Sequence, residues 1–167
     1  MKKIAYIIPG FGESCKEAQY KKLAVALRTK GYVVNCVNPD WYRPISKQIF
    51  QVEKDAVVFG FSIGAVLAYL IAKKFPYRKA IFASISPIHK FSFKNFKSAL
   101  HPYMSNDLAT EITIDIKSIK VSLKNLKVPH VTLVGQLEKK MPQADFIVPK
   151  TGHRITTSYI NCISKLI

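Results

Sequence analysis

Short runs of consecutive apolar residues alternate along this chain with longer stretches in which apolar positions recur at helical spacing. A run that is apolar on both faces is what a strand covered on both sides requires, whereas a strand with one wet face alternates. The first run, residues 3–8, stops at Pro9-Gly10-Phe11-Gly12, a loop signal. A helix is expected from about Glu13 or Ser14 to Lys30, with Ala18, Leu23, Ala26 and Leu27 inward and lysines outward, closed by Gly31. Residues 32–37 form a second strand that ends in the turn chemistry of Asn38-Pro39-Asp40, and residues 44–52 a short helix. The third strand, residues 55–60, is almost wholly apolar. Residues 62–75 then form a helix apolar on nearly every side, expected to be the most buried one. Further strands fall at 78–84, 131–135 and 146–148, and a last helix at 154–166.

Strands that alternate with helices imply an α/β fold: a single-domain, doubly wound, mainly parallel six-stranded sheet with helices on both faces, over residues 1–167. The stretch between strands four and five is longer than a plain crossover needs. Residues 86–127 are therefore read as a lid-like insertion. Its first part interleaves Phe91, Phe93, Phe96 and Tyr103 with His89, Lys90, Lys94 and Lys97. From Lys117 onward, Ile116, Ile119, Leu123 and Leu126 repeat at helical spacing, and Lys117, Lys120, Lys124 and Lys127 repeat on another face. That pattern predicts an amphipathic helix with a basic stripe, either the roof of a pocket or an ordinary crossover with a solvated lysine face. Phe91, Phe93 and Phe96 are candidates for an apolar acyl pocket.

Composition narrows the class. At 167 residues and 49% hydrophobic, the chain can bury one core. The opening Met1-Lys2-Lys3 imitates the basic end of a signal peptide, but Pro9-Gly10 cuts off the apolar run behind it. No apolar stretch approaches the ~20 residues of a membrane span. Cys15, Cys36 and Cys162 are far apart and lie in no metal spacing, which suits a reducing compartment, so a cytoplasmic location is expected. The net charge of +16 is compatible with an anionic partner such as nucleic acid or anionic lipid, or with an anionic group on a substrate. The lysines nevertheless come singly or in pairs, as in Lys21-Lys22, Lys73-Lys74 and Lys139-Lys140, with no recognisable nucleic-acid module. A solvated lysine-rich surface is the plainer reading.

The third strand runs into Gly60-Phe61-Ser62-Ile63-Gly64, a Gly-x-Ser-x-Gly sequence placed between a strand and a helix. There a serine is held on a tight turn with its hydroxyl above the sheet, and a Cβ at either glycine would meet neighbouring backbone. In a doubly wound sheet, sites form at the carboxyl ends of the strands where strand order reverses. That point is expected between strands one and three, so the Pro9-Gly10-Phe11-Gly12 loop and the serine loop meet there. The N–H groups of Phe11 and Ile63 are then placed to hold an oxyanion. A serine nucleophile needs a base, and the base an orienting acid. His153 leaves strand six at the same edge, whereas His130 lies at the opposite end of its strand and His89 and His101 lie in the insertion. For the acid, Glu138 leaves strand five after Gly135; Asp145 is the rival but precedes strand six.

Together these motifs resemble the α/β-hydrolase superfamily. Pro9-Gly10-Phe11-Gly12 is similar to its oxyanion loop, Gly60-Phe61-Ser62-Ile63-Gly64 to its nucleophile elbow, Gly135-x-x-Glu138 to its acid turn and Gly152-His153 to its histidine turn. The resemblance covers most of the chain, with strand one in the place of the family's third strand, so that it implies a minimal member. Glu138 stands where aspartate is commoner, and Pro9 where many members have histidine. The resemblance implies a serine hydrolase of esters or thioesters that uses no cofactor. Two other classes are compatible with the strand pattern. One is a catalytically silent binding module for an anionic lipid, nucleic acid or protein; the other is a flavodoxin-like cofactor protein, whose Ser/Thr-rich phosphate loop has no counterpart after strand one.

Overall fold

The computed structural model describes residues 2–85, 93–138 and 144–167. Six parallel strands, β1 (Lys3–Ile8), β2 (Tyr32–Cys36), β3 (Val57–Phe61), β4 (Lys79–Ala83), β5 (His130–Gly135) and β6 (Phe146–Val148), form one sheet in the order β2-β1-β3-β4-β5-β6. The order reverses between β1 and β3, as expected. All five residues of β3 are buried, which explains why this strand carries no alternation: it is central and covered on both faces.

The two faces hold separate cores. On one, Ile8, Val58, Ala80 and Phe82 meet helix α2 (Ile63–Lys74) and helix α4 (Asn106–Ser118), with Ile45 of a 3-10 turn at Ile45–Gln48. On the other, Ile7, Val57, Phe59, Phe61 and Ile81 meet α1 (Ala18–Arg28) and α5 (Thr157–Leu166). Helix α2 buries nine of its twelve residues, so its evenly apolar sequence matches its position. The short α3 (Phe93–Leu100) lies against α4. Among the described residues, no helix is long and apolar enough to cross a membrane.

Three boundaries depart from the sequence reading. Helix α1 begins at Ala18, because Glu13 and Glu17 turn their carboxylates back to the amides of Gly10 and Ser14, which holds residues 13–17 in turns. Residues 44–52 yield only the 3-10 turn, which is tied to α4 by Asp115 accepting hydrogen bonds from the amide and hydroxyl of Ser46.

The third departure is a correction: the amphipathic helix expected from Lys117 onward does not form. Helix α4 lies earlier, started by Ser105, whose hydroxyl accepts from the Leu108 N–H, and it ends at Ser118. The chain beyond is non-helical apart from a 3-10 turn at Leu123–Asn125. Ile119 and Val121 are β-branched and favour extended backbone. Buried Tyr69 supplies the hydrogen bonds that a helix would otherwise have given, since its hydroxyl accepts from Ser122 N–H at 3.1 Å and donates to Lys120 O at 3.2 Å. Ile116 and Ile119 are still buried and Leu123 and Leu126 still pack on the core. The pattern therefore marks which side chains face inward, but not the helical backbone.

Candidate active site

All strands being parallel, every loop that leaves a carboxyl end lies on one edge, and four of these loops converge. The sharpest is the turn from β3 into α2. Ser62 is the residue before the first helical position and has φ 53° and ψ −117°, a backbone region costly for a residue with a Cβ. The turn is tight on both sides. A Cβ on Gly60 would come within 2.5 Å of Gly64 O, and one on Gly64 within 2.0 Å of Pro9 O. The second contact places the loop after β1 directly against the start of α2. Ile63 opens α2, and its N–H is one of the amides that a helix leaves without an internal acceptor.

The loop after β1 is clamped from behind. The Gly10 N–H donates both to Glu13 Oε2 at 3.0 Å and to the Tyr20 hydroxyl at 3.0 Å, and Tyr20 in turn donates to Glu13. Burial pushes the Tyr20 hydroxyl pKa far up, and the neighbouring Glu13 carboxylate raises it further. Tyr20 thus stays a neutral donor.

The loops after β5 and β6 are locked to each other. Leu137 N–H donates to Thr151 O at 2.9 Å, Gln136 N–H to Val148 O at 2.9 Å, and a Cβ on Gly135 would meet Thr151 O at 2.4 Å. Glycine at 135 is therefore required by backbone contact between the two loops. From this frame Glu138 and His153 reach across the edge. His153 Nε2 lies 2.8 Å from Ser62 Oγ, and His153 Nδ1 lies 2.9 Å from Glu138 Oε2. The imidazole stacks at a tilt on Phe61, with ring centroids 5.1 Å apart. The histidine side chain is half exposed, while that of Glu138 is 12% exposed; the series thus runs from a sheltered carboxylate to an accessible hydroxyl.

The other oxygen of Glu138 has its own donors, which sequence reasoning did not identify. Oε1 accepts from Ser84 Oγ at 2.6 Å and from Gly135 N–H at 2.8 Å. Ser84 Oγ also lies 2.6 Å from the Tyr159 hydroxyl. The Tyr159 hydroxyl lies 3.4 Å from the same Oε1, so Ser84 and Tyr159 together cover that oxygen with two hydroxyls. Ser84 is buried and has φ 46° at the end of β4; it mirrors Ser62 at the end of the adjacent strand, to which it is linked by the Ser62 N–H to Ala83 O bond of 2.9 Å. The available signal was a polar residue that directly follows an apolar strand on the same edge. Burial pushes the Glu138 carboxyl upward, but hydrogen bonds from His153, Ser84 and Gly135 outweigh it and hold its pKa below the usual value. For the ester hydrolysis proposed below, Ser84→Ala is expected to lower kcat about tenfold. The variant loses a donor that favours the anion, so the acidic limb of its rate profile moves to higher pH, and a pH series of kcat/KM on both proteins checks the direction.

The remaining candidates lie elsewhere. Asp145 is held at the opposite part of the sheet by Thr132, whose N–H and hydroxyl each donate to Oδ2 at 2.8 Å. These bonds, with attraction from His130, hold its pKa below the usual carboxylate value. The stability it contributes is present above the ordinary aspartate pKa and is lost as pH falls through the lowered native one. Asp145→Asn is expected to lower the urea midpoint near neutrality by less than about 1 kcal/mol equivalent, with the gap to the wild type closing in acid. His130 faces Val128 O through Nδ1 at 3.0 Å, and His101 follows α3. Phe96 packs against the α2-side core and Phe93 opens α3; Phe91 and His89 lie outside the described residues. No group of three or more His, Cys, Asp or Glu side chains suited to a metal occurs among the described residues.

With this geometry in place, solved structures supply the comparison. Est1E from Butyrivibrio proteoclasticus superposes with a TM-score of 0.69 at 12% identity, over 99% of this chain and 85% of that one. The chain has the α/β-hydrolase fold. A lipase-esterase related protein from Clostridium acetobutylicum matches with a TM-score of 0.65 at 17% identity, over 99% and 94% of the two chains. RedJ-Thioesterase from the prodiginine biosynthetic pathway in Streptomyces coelicolor matches with a TM-score of 0.57 at 12% identity, over 99% and 89%. No protein-family model matches the sequence, and no curated protein matches it. The hydrolase fold is thus carried here by a sequence only 12–17% identical to those of these neighbours.

Proposed function

We propose that this protein is a serine hydrolase that cleaves a carboxylic ester or thioester through an acyl-enzyme on Ser62. The observation that carries the reading is the unbroken hydrogen-bond series from Glu138 Oε2 through His153 Nδ1 and Nε2 to Ser62 Oγ. Ser62 Oγ attacks the acyl carbon while His153 Nε2 takes its proton, and Glu138 stabilises the imidazolium that forms. The N–H groups of Phe11 and Ile63 hold the developing oxyanion, helped by the positive end of α2. The tetrahedral intermediate collapses as its bond to the leaving group breaks, and His153 returns the proton to that alcohol or thiol. Water, deprotonated by His153, then attacks the acyl-serine and releases the acid. An esterase-related protein and a thioesterase among the fold neighbours support the acyl class.

A fluorophosphonate probe tests the reading directly. The wild-type protein is expected to take up one equivalent, with peptide mapping placing it on Ser62, and an acyl-chain-length panel of p-nitrophenyl esters then defines the preferred acid. Folded protein that is not labelled at Ser62 and cleaves no ester of the panel would overturn the assignment.

A further inference from the structure

A cleft of about 540 Å³ opens beside Phe11 and is lined by Phe11, Trp41, Tyr42 and Tyr103 and by Glu13 and Glu17. Its polarity is opposite to that of the molecule. The chain has 26 Lys+Arg against 10 Asp+Glu, yet among the described residues the cleft is lined by two glutamates and by no lysine or arginine. Both carboxylates are satisfied by neutral donors only. Glu13 accepts from the Gly10 amide and Tyr20 hydroxyl, and Glu17 from the Ser14 amide at 2.8 Å and the Gln19 side chain at 2.7 Å. Such bonds fix the carboxylates without cancelling their charge. Neither cleft glutamate forms an ion pair among the described residues.

Packing against the α2-side core accounts for Phe11 and Trp41 but not for the outer part of the wall. Tyr42 is 57% and Tyr103 68% exposed, a state that leaves two large ring faces in water. Trp41 is fixed by donating its Nε1–H to Glu13 O at 3.2 Å and by a tilted contact with Phe11, centroids 5.4 Å apart. Ring faces carry negative potential and attract an organic cation that is poorly hydrated, whereas an anionic head group would be repelled by the paired carboxylates.

We infer that this cleft binds an alkylammonium group, and that the substrate of the Ser62 site is an acyl ester or thioester whose head group carries that cation. The second half rests on the hydrolase reading; the cation site does not. The charge of +16 is compatible with an anionic group on a substrate, whereas the glutamates and rings of this wall favour a cationic one.

Trp41 is the sole tryptophan of the chain, so fluorescence excited at the red edge, where the tyrosines do not absorb, reports on the cleft. Choline and its uncharged isostere 3,3-dimethylbutan-1-ol are titrated into the wild-type protein. A saturable change with choline at about tenfold lower concentration than with the isostere is expected, and Glu17→Gln is expected to weaken choline roughly threefold. Equal responses to the two probes, or none to either, would overturn the cation site. Ser62→Ala keeps the choline response while turnover is lost, which separates the two readings. If wild-type protein binds choline yet cleaves acetylthiocholine no faster than the neutral thioester of the same shape, the substrate half falls and the binding site stands.

Discussion

Ser62→Ala is expected to lower kcat/KM for an activated p-nitrophenyl ester by about 10⁴-fold or more. In the proposed mechanism the alanine removes the atom that attacks, and His153 Nε2, 2.8 Å from that atom, is left with no nucleophile to deprotonate. The loss is not additive with that of the base. His153→Ala should cost a similar factor, and the double variant should be no slower than either single one, because serine and imidazole act as one unit. Residual activity in all three would come from the oxyanion donors and substrate binding, which none of these changes touches. Active-site titration beside steady-state rates makes the comparison, since traces of wild-type protein could imitate a slow variant. A purified Ser62→Ala protein that turns over at the wild-type rate would exclude the serine as nucleophile, whatever the hydrogen bonds show.

Gly64→Ala is expected to be the most damaging single methyl group in the fold. Its Cβ would stand 2.0 Å from Pro9 O and 2.6 Å from Ile8 O, both backbone atoms that cannot swing aside as a side chain would. Relief requires the end of β1 or the start of α2 to move. We expect a destabilisation of about 3 kcal/mol or more, read as a shift in urea midpoint. That is a large share of the roughly 5–15 kcal/mol that holds a domain together. The same movement carries Phe11 away from the serine turn, so surviving folded protein should lose activity by about 10²-fold or more. Gly152→Ala is the internal control: nothing lies within 4 Å of its Cβ, and its midpoint should stay near the wild-type value. Wild-type stability in Gly64→Ala would mean that the loop after β1 does not seat against α2 as described.

How much of this was legible in the sequence depends on whether a feature is local. The β3–Ser62–α2 unit is contiguous, and its glycines stand two residues to either side of the serine, so the strand, the turn and the helix could be read together. Glu138 and His153 were legible because parallel topology dictates which strand end a loop leaves, and the structure brings both within hydrogen-bonding distance of the predicted series. Ser84 was not, because its role depends on the register that pairs Phe61 with Ala83, and no local pattern reports register. Tyr159 reads in sequence as one more apolar position of a terminal helix. The stretch from Lys117 to Lys127 misled for a related reason: its periodic apolar residues do face the core, but the tyrosine that competes for its backbone hydrogen bonds lies about fifty positions earlier. Trp41 and Tyr103 are separated along the chain by β3, α2, β4 and α3, and their shared wall exists only in the folded chain.

The bond between Ser62 and His153 joins residues 91 positions apart, and that between Ser84 and Glu138 residues 54 apart. Contacts of such long range form late, after the entropy of closing large loops has been overcome. Helix α2 or the β1–β2 pair can acquire native shape well before either bond exists. Recovery of ester turnover after dilution from urea should therefore trail the return of helical signal, and its time course would date the moment at which the β5 and β6 loops dock on the remainder of the sheet.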